Sequence, residues 1–266
     1  MEKNILLTIE YDGSGFHGWQ RQPDRPTLQG HLEKTISALL KKDIVLNGTS
    51  RTDAGVHAYG QRASFKADVS IPVEKLAKVI NNALNGREKG TFASSPVRIV
   101  AAEEKPDDFH ARFDSRGKKY IYRIKNSEQI NVFERNYVYH VDRPLDTEVM
   151  KRQTGKLKGT HDFKSFEASG GTPRETTVRT IFDIDVTAVE TGRLFRESGM
   201  PEKDIEIHVS GDGFLYNMVR IIAGTLTDMG GGRLQTDMDD ILNAKDRQRA
   251  GHTAPPYGLY LAEVYY

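Results

Sequence analysis

Strand-type segments in this chain repeatedly follow one another without a helix between them. That order favours an α+β fold built on a largely antiparallel sheet over a doubly wound parallel one. Asn4 to Tyr11 is a continuous apolar run, as in a strand buried on both faces. Thr27 is placed to cap a helix reaching Leu40, with Leu28, Leu32, Ile36, Leu39 and Leu40 along one face. Short strands are expected at Val45–Leu46 and at Gln61–Phe65, separated by a loop from Asn47 to Tyr59. A helix marked by Val73, Leu76, Ile80 and Leu84 follows, then a strand from Val97 to Glu103.

The rest of the chain repeats this pattern of elements. Lys119–Lys125 alternates, with Tyr120, Tyr122 and Ile124 on one face and Lys119, Ile121, Arg123 and Lys125 on the other. A helix spans Thr147–Leu157. Thr180–Val189 and Ile205–Ser210 form a hairpin around a polar connection at Thr191–Lys203. After the break at Gly211-Asp212-Gly213, Phe214, Met218, Ile221, Ile222, Thr225, Leu226 and Met229 recur at helical spacing until Gly230-Gly231-Gly232. Asp237–Ala244 reads as a short acidic helix and Leu259–Tyr265 as a closing strand. The expected organisation is two similar α/β halves, residues 1–110 and 111–266, sharing the sheet with helices packed on one face.

Composition narrows the chemistry. Among 266 residues there is no cysteine, which excludes disulfides, thiolate metal sites and thiol nucleophiles. The net charge is +1, so a polyanion would need a local patch rather than the field of the whole protein. No apolar run approaches the roughly 20 residues that span a bilayer, and Met1–Ile9 lacks the features of a signal peptide. A cytoplasmic protein without membrane association is expected.

Four segments are candidates for function. Gly13-x-Gly15-x-x-Gly18 matches a dinucleotide fingerprint, but Pro23 and Pro26 interrupt the tight strand–turn–helix that such a site needs. The plain reading is an ordered turn with Trp19 packed under it. Arg51, Asp53 and His57 stand close together on a loop between strands, where catalytic groups concentrate; an Asx-type turn with a surface pair explains the same residues. From Arg112 to Lys125, six basic residues (Arg112, Arg116, Lys118, Lys119, Arg123, Lys125) stand against one acid, Asp114. Interleaved with Tyr120 and Tyr122, they suit phosphate contact and base stacking, or an edge strand blunted by lysine. Arg220 lies in an apolar stretch and needs a carboxylate partner if buried, or a path to water if it sits at a helix end. No histidine or acid pair has the helical ligand spacing of a zinc site.

Taken together, Tyr11-Asp12-Gly13-x-Gly15-Phe16-x-Gly18-Trp19-Gln20, Thr27-Leu28-Gln29-Gly30-x-Leu32-Glu33 and Arg51-Thr52-Asp53-Ala54-Gly55-Val56-His57-Ala58 resemble the TruA-type tRNA pseudouridine synthases. The likeness continues through Phe109-His110-Ala111-Arg112-Phe113, Lys119-Tyr120-x-Tyr122, His161-Asp162-Phe163-x-Ser165-Phe166, Met218-Val219-Arg220 and Gly258-Leu259-Tyr260-Leu261. One departure is Ser50, where the family usually has glycine before the motif arginine.

The resemblance implies the pseudouridine synthase fold and isomerisation of uridine to pseudouridine in the anticodon stem-loop of tRNA, at nucleotides 38, 39 and 40. It implies no cofactor, no metal and a homodimer. Asp53 would be the essential carboxylate, Tyr120 would pack on the target base and Arg220 would be the cationic partner of Asp53. Arg51, His57, Arg116, Lys118 and Lys119 would join Tyr120 in holding RNA. A non-catalytic RNA-binding protein is the alternative that the basic, tyrosine-bearing strand alone would support.

Overall fold

A computed structural model describes residues 2–86, 94–171, 175–191 and 200–266. The chain divides into two compact units, Met1–Arg116 with Leu261–Tyr266, and Gly117–Tyr260. Both are α+β, and their strands pair mostly antiparallel.

In the first unit, β1 (Glu2–Tyr11) is central. It pairs antiparallel with β3 (His57–Asp68) on one side and β4 (Val97–Lys105) on the other, with Ile5 opposite Phe65 and Leu7 opposite Ala102. Ile5, Leu6 and Leu7 are fully buried, as the unbroken apolar run predicts for a strand covered on both faces. Helix α1 (Leu28–Leu40) starts where Thr27 accepts the Gly30 N–H, buries Leu28, Leu32 and Ile36, and ends at Lys41 in a left-handed conformation. Helix α2 (Val73–Leu84) buries Leu76 and Ile80 and packs on β4.

The strand expected at Val45–Leu46 is displaced to β2 (Asn47–Gly48), which pairs with β3. Side chains of α1 are the reason. Glu33 accepts the Leu46 N–H at 2.8 Å and the Gln29 amide donates to the Leu46 carbonyl at 3.1 Å, so that backbone is satisfied without a strand neighbour. β3 is longer than its expected Gln61–Phe65 core because it keeps pairing with β1 from Asp68 back to Ala58, through a register shift between Ile9 and Tyr11. The loop before it shrinks to residues 49–56.

In the second unit, β5 (Gly117–Asn126) pairs antiparallel with β9 (Lys203–Gly211), and β9 with β8 (Val178–Glu190). Two short strands escaped the sequence reading: β6 (Tyr139–Val141), parallel to β5, and β7 (Gly159–Asp162), on the far side of β8. Most of the connection expected at Thr191–Lys203 lies outside the described residues. Helix α3 (Thr147–Thr154) is capped by Asp146, tightens into a 3-10 turn at Gly155–Leu157, and packs on β8 and α4 (Met218–Gly230). Helix α5 (Met238–Ala244) is capped by Asp237. The closing strand β10 (Leu259–Tyr265) gives its residues from Leu261 onward to the first unit. There the Ala262 carbonyl lies against Gly60 of β3, too close for any side chain at that position. Among the described residues, no helix is long and apolar enough to cross a membrane.

Candidate active site

Residues 49–56 form a loop held from three sides within the first unit. Gln61 is fully buried and grips the backbone of Ser50. Its Oε1 accepts the Ser50 N–H at 3.2 Å and its Nε2 donates to the Ser50 carbonyl at 2.7 Å. Thr49 donates its hydroxyl to the Ala111 carbonyl and shares a hydrogen bond with the Tyr266 hydroxyl, both at 2.9 Å. Tyr11 and Thr52 join their hydroxyls at 2.7 Å. Gly55 turns the chain with a φ of 79°, and the Val56 N–H closes on the Asp53 carbonyl at 3.2 Å. Asp53 is half-buried and Arg51 exposed on this frame. A carboxylate so placed is anchored by its backbone and still reachable.

The glycine-rich loop supplies the third side. Gly18 takes a φ of 83°, and a β-carbon there would sit 2.6 Å from the Thr52 carbonyl; one on Gly13 would fall onto the Val56 carbonyl. Five of its amides are spent internally: Gly13 donates to His57 Nδ1, Ser14 to Asp12, Phe16 to the Gly13 carbonyl, His17 to the Pro26 carbonyl and Trp19 to the Thr52 carbonyl. These five are not free to cradle a phosphate. The loop instead packs two backbones together, with Trp19 buried beneath and Gly48 flat against its indole.

His57 was expected to touch RNA. It has 2 % of its surface exposed, so this conformation leaves it no face for a substrate. Its Nδ1 lies 3.1 Å from the Gly13 N–H and 3.2 Å from Asp12 Oδ1. The ring accepts the first contact when neutral and donates to the second when protonated. In either state it ties the glycine-rich loop to the start of β3.

The second unit carries Tyr120 and Arg220. Tyr120 is half-buried on β5, its ring edge-on to Phe214 with centroids 5.2 Å apart. Arg220 is the only residue of α4 that is not buried. Its Nε donates to the Ala254 carbonyl at 2.8 Å and its Nη1 to Asn217 Oδ1 at 2.7 Å. Asn217 precedes the helix in a left-handed conformation (φ 59°), which starts α4 at Met218 and leaves Phe214 outside it.

The segment that orients Arg220 is itself strapped along α4. The Ala254 N–H returns to the Arg220 carbonyl at 3.1 Å, Gly224 lies against the His252 carbonyl, and Gly251 donates to the Thr225 hydroxyl at 2.9 Å. Tyr122, fully buried, donates its hydroxyl to the Pro255 carbonyl at 2.8 Å, and burial pushes its pKa well up. Phe214 and Ala254 carry no motif-like signal, because each acts through a contact between segments distant in the chain; Gln61 and Asn217 act on near neighbours, Ser50 and Arg220, through contacts that residue type alone does not reveal.

The basic strand divides into two kinds of residue. Arg123 pairs with Glu206 at 3.2 Å, and Lys125 pairs with Asp204 at 3.0 Å and approaches Glu202 at 3.8 Å, all three acids on or beside β9. Lys125 is 8 % exposed. These two cations hold the sheet and are removed from the positive patch. Lys118 and Lys119 are half-buried at the start of β5, while Arg116 and Arg112 are exposed in the first unit.

A family model described as tRNA pseudouridine synthase matches residues 7–114 and 154–266. Curated relatives agree over the full length. The tRNA pseudouridine synthase A of Ruminiclostridium cellulolyticum is 44 % identical over 265 residues, 99 % of this chain and 100 % of the relative. The tRNA pseudouridine synthase A 2 of Clostridium tetani is 44 % identical over 270 residues, the whole of both chains. The tRNA pseudouridine synthase A of a Thermoanaerobacter species is 41 % identical over 265 residues, 99 % of this chain and all of that one.

Proposed function

The chain belongs to the tRNA pseudouridine synthase family, and on that premise we propose that it isomerises uridine to pseudouridine at nucleotides 38, 39 and 40 in the anticodon stem-loop of tRNA. The observation that carries the chemical assignment is the half-buried Asp53 on a loop fixed by Gln61, Thr49 and the glycine-rich turn. Catalysis rewards a group whose position is set before the substrate arrives.

Asp53 is the catalytic carboxylate. The C1′–N1 bond of the target uridine breaks, the uracil turns, and a C5–C1′ bond forms. The proton leaves C5 and N1 ends protonated, so no atom is gained or lost. Asp53 either attacks C1′ or takes the C2′ proton to give a glycal. One essential carboxylate, rather than the two that flank a glycosidic bond in hydrolysis, suits bond migration without water. Arg220 is its cationic partner and favours the ionised form. Tyr120 offers the uracil an aromatic face and a hydroxyl to receive a proton, and Phe214 holds that ring edge-on. Because the target lies in or beside a stem, it must leave the stack, and Arg51, Arg116, Lys118 and Lys119 contact the backbone around it. No cofactor or metal enters these steps. The family likeness also supports a homodimer, and a tRNA substrate supports a cytoplasmic location.

The test is tritium release from tRNA carrying 5-tritiated uridine in the anticodon stem-loop. Release stoichiometric with pseudouridine, mapped to nucleotides 38–40, is the expected result. Tight tRNA binding without release would favour a non-catalytic RNA-binding protein.

A further inference from the structure

The second unit contains a cavity of about 550 Å3 that none of Asp53, Tyr120 or Arg220 lines. Its walls include Tyr139, Asp228, Arg233, Arg247, Gln248 and His252. The single carboxylate on these walls is already engaged. Asp228 Oδ2 lies 2.8 Å from His252 Nδ1 and accepts the His252 N–H at 3.1 Å. With the proton held on Nδ1, the His252 Nε2 accepts from the Tyr139 hydroxyl at 3.1 Å. Burial works to raise the Asp228 pKa, but the two His252 hydrogen bonds and the charges of His252 and Arg233 together outweigh it and lower the pKa from its ordinary value.

Three guanidinium groups surround that one carboxylate. Arg143 reaches Asp228 Oδ1 only at 3.7 Å, and its Nε and Nη2 are buried with no hydrogen-bond partner among the described residues. Arg247 donates to the carbonyls of Ala250 and Gly251 and to the Thr253 hydroxyl. Those acceptors are neutral, so they fix the guanidinium without cancelling its charge. Arg233 is exposed at the C-terminal end of α4. Among the described residues, neither Arg233 nor Arg247 pairs with a carboxylate. Asp246, beside Arg247 in sequence, turns its side chain to the Gln248 N–H. Arg247 is held by neutral groups, and Arg233 shares with it and with Arg143 a single carboxylate already bonded to His252, so positive charge is in surplus; such an arrangement binds an anion, and a planar guanidinium fork matches the oxygens of a phosphate.

We propose that this cavity holds a backbone phosphodiester of the tRNA, with Arg233 and Arg247 as its cationic contacts. The proposal rests on the reading of the chain as acting on tRNA. A site of this kind contributes affinity and leaves the chemical step alone, and it depends on salt because a bound phosphate releases its counterions.

The test compares wild type with Arg233→Ala, an exposed position where folding is not at stake, and with Arg233→Lys. Lys75→Ala, an exposed cation on α2, controls for net charge. Arg233→Ala should raise KM for tRNA by roughly three- to tenfold near 0.1 M salt with kcat unchanged. It should also flatten the slope of log KM against log salt by about 1. Arg233→Lys should restore the slope, and Lys75→Ala should change neither quantity. Wild-type KM and slope in Arg233→Ala would overturn the proposal. So would a pocket that takes inorganic phosphate, seen in the ring signals of His252, while Arg233→Ala binds tRNA like wild type; that result marks a small-anion site only. Filter binding of tRNA by the same variants reads the slope without turnover. If the wild type releases no tritium, the catalytic reading fails while this measurement still decides the phosphate site.

Discussion

Replacing Gln61 by glutamate changes one group at the point where the Asp53 loop is gripped. In the native protein Oε1 accepts from Ser50 and from Arg62, and Nε2 donates to the Ser50 carbonyl. A glutamate keeps both acceptances and loses the donation. Two oxygens then face each other across 2.7 Å at a position with no solvent exposure. An unsatisfied buried acceptor costs about 1–3 kcal/mol. The uncompensated buried charge brings the total to about 3–5 kcal/mol, or a fall in Tm of roughly 6–20 °C for a chain of this size.

The effect has a pH signature. Burial raises the pKa of the new carboxyl in the folded state above its unfolded value of about 4.3. Below the unfolded pKa the group is neutral in both states, and its O–H can donate to Ser50 as the amide did. Stability is then lost as pH rises from the unfolded pKa through the folded one. Gln61→Met, which removes both contacts without adding charge, should show a deficit that does not vary with pH. Thermal unfolding of both variants at pH 5 and pH 8 measures this. Tritium release at a temperature where each is folded should show kcat down by about tenfold or more, since a displaced loop misplaces the carboxylate. A Gln61→Glu protein with wild-type Tm at pH 8, or with unchanged kcat, would refute the account of the grip.

Other substitutions separate support from chemistry. Arg220→Lys keeps the charge but loses the paired contacts to Ala254 and Asn217; kcat should fall by at least tenfold with Tm within a few degrees of wild type, by steady-state kinetics and calorimetry. Lys125→Ala should lower Tm through its lost contacts to Asp204 and Thr191 and leave tRNA affinity unchanged by filter binding, whereas Lys119→Ala should do the opposite. Ser50 buries a hydroxyl that has no partner among the described residues, so Ser50→Ala should raise stability by about 1 kcal/mol in denaturant unfolding.

The sequence carried the elements whose periodicity reflects burial. β1 and the apolar faces of α1 and α2 stand where the spacing put them, because each side of those segments has one environment. β6 and β7 span only three and four residues, too short to establish a period. The displaced β2 shows a different limit. Whether Leu46 joins a strand is decided by Glu33 and Gln29, side chains on a helix earlier in the chain.

The same limit governs the site. Arg51, Asp53 and Arg220 were visible as polar groups in telling surroundings. Gln61 left only a faint signal: alternation puts it on the face of the buried Ala63 and Phe65, but nothing in the spacing says that it grips Ser50. Counting charge along β5 overstated the patch, since the acids that claim Arg123 and Lys125 come from β9 and the segment before it, about eighty residues on.

The central claim is that Asp53 carries out the chemistry while its loop and the basic residues only present the RNA. Asp53→Ala measures this most directly, with tritium release from 5-tritiated uridine tRNA and filter binding on the same preparation. The account predicts no release above background even with enzyme in excess over tRNA, and a Kd within about threefold of wild type. Turnover surviving in that variant would contradict it.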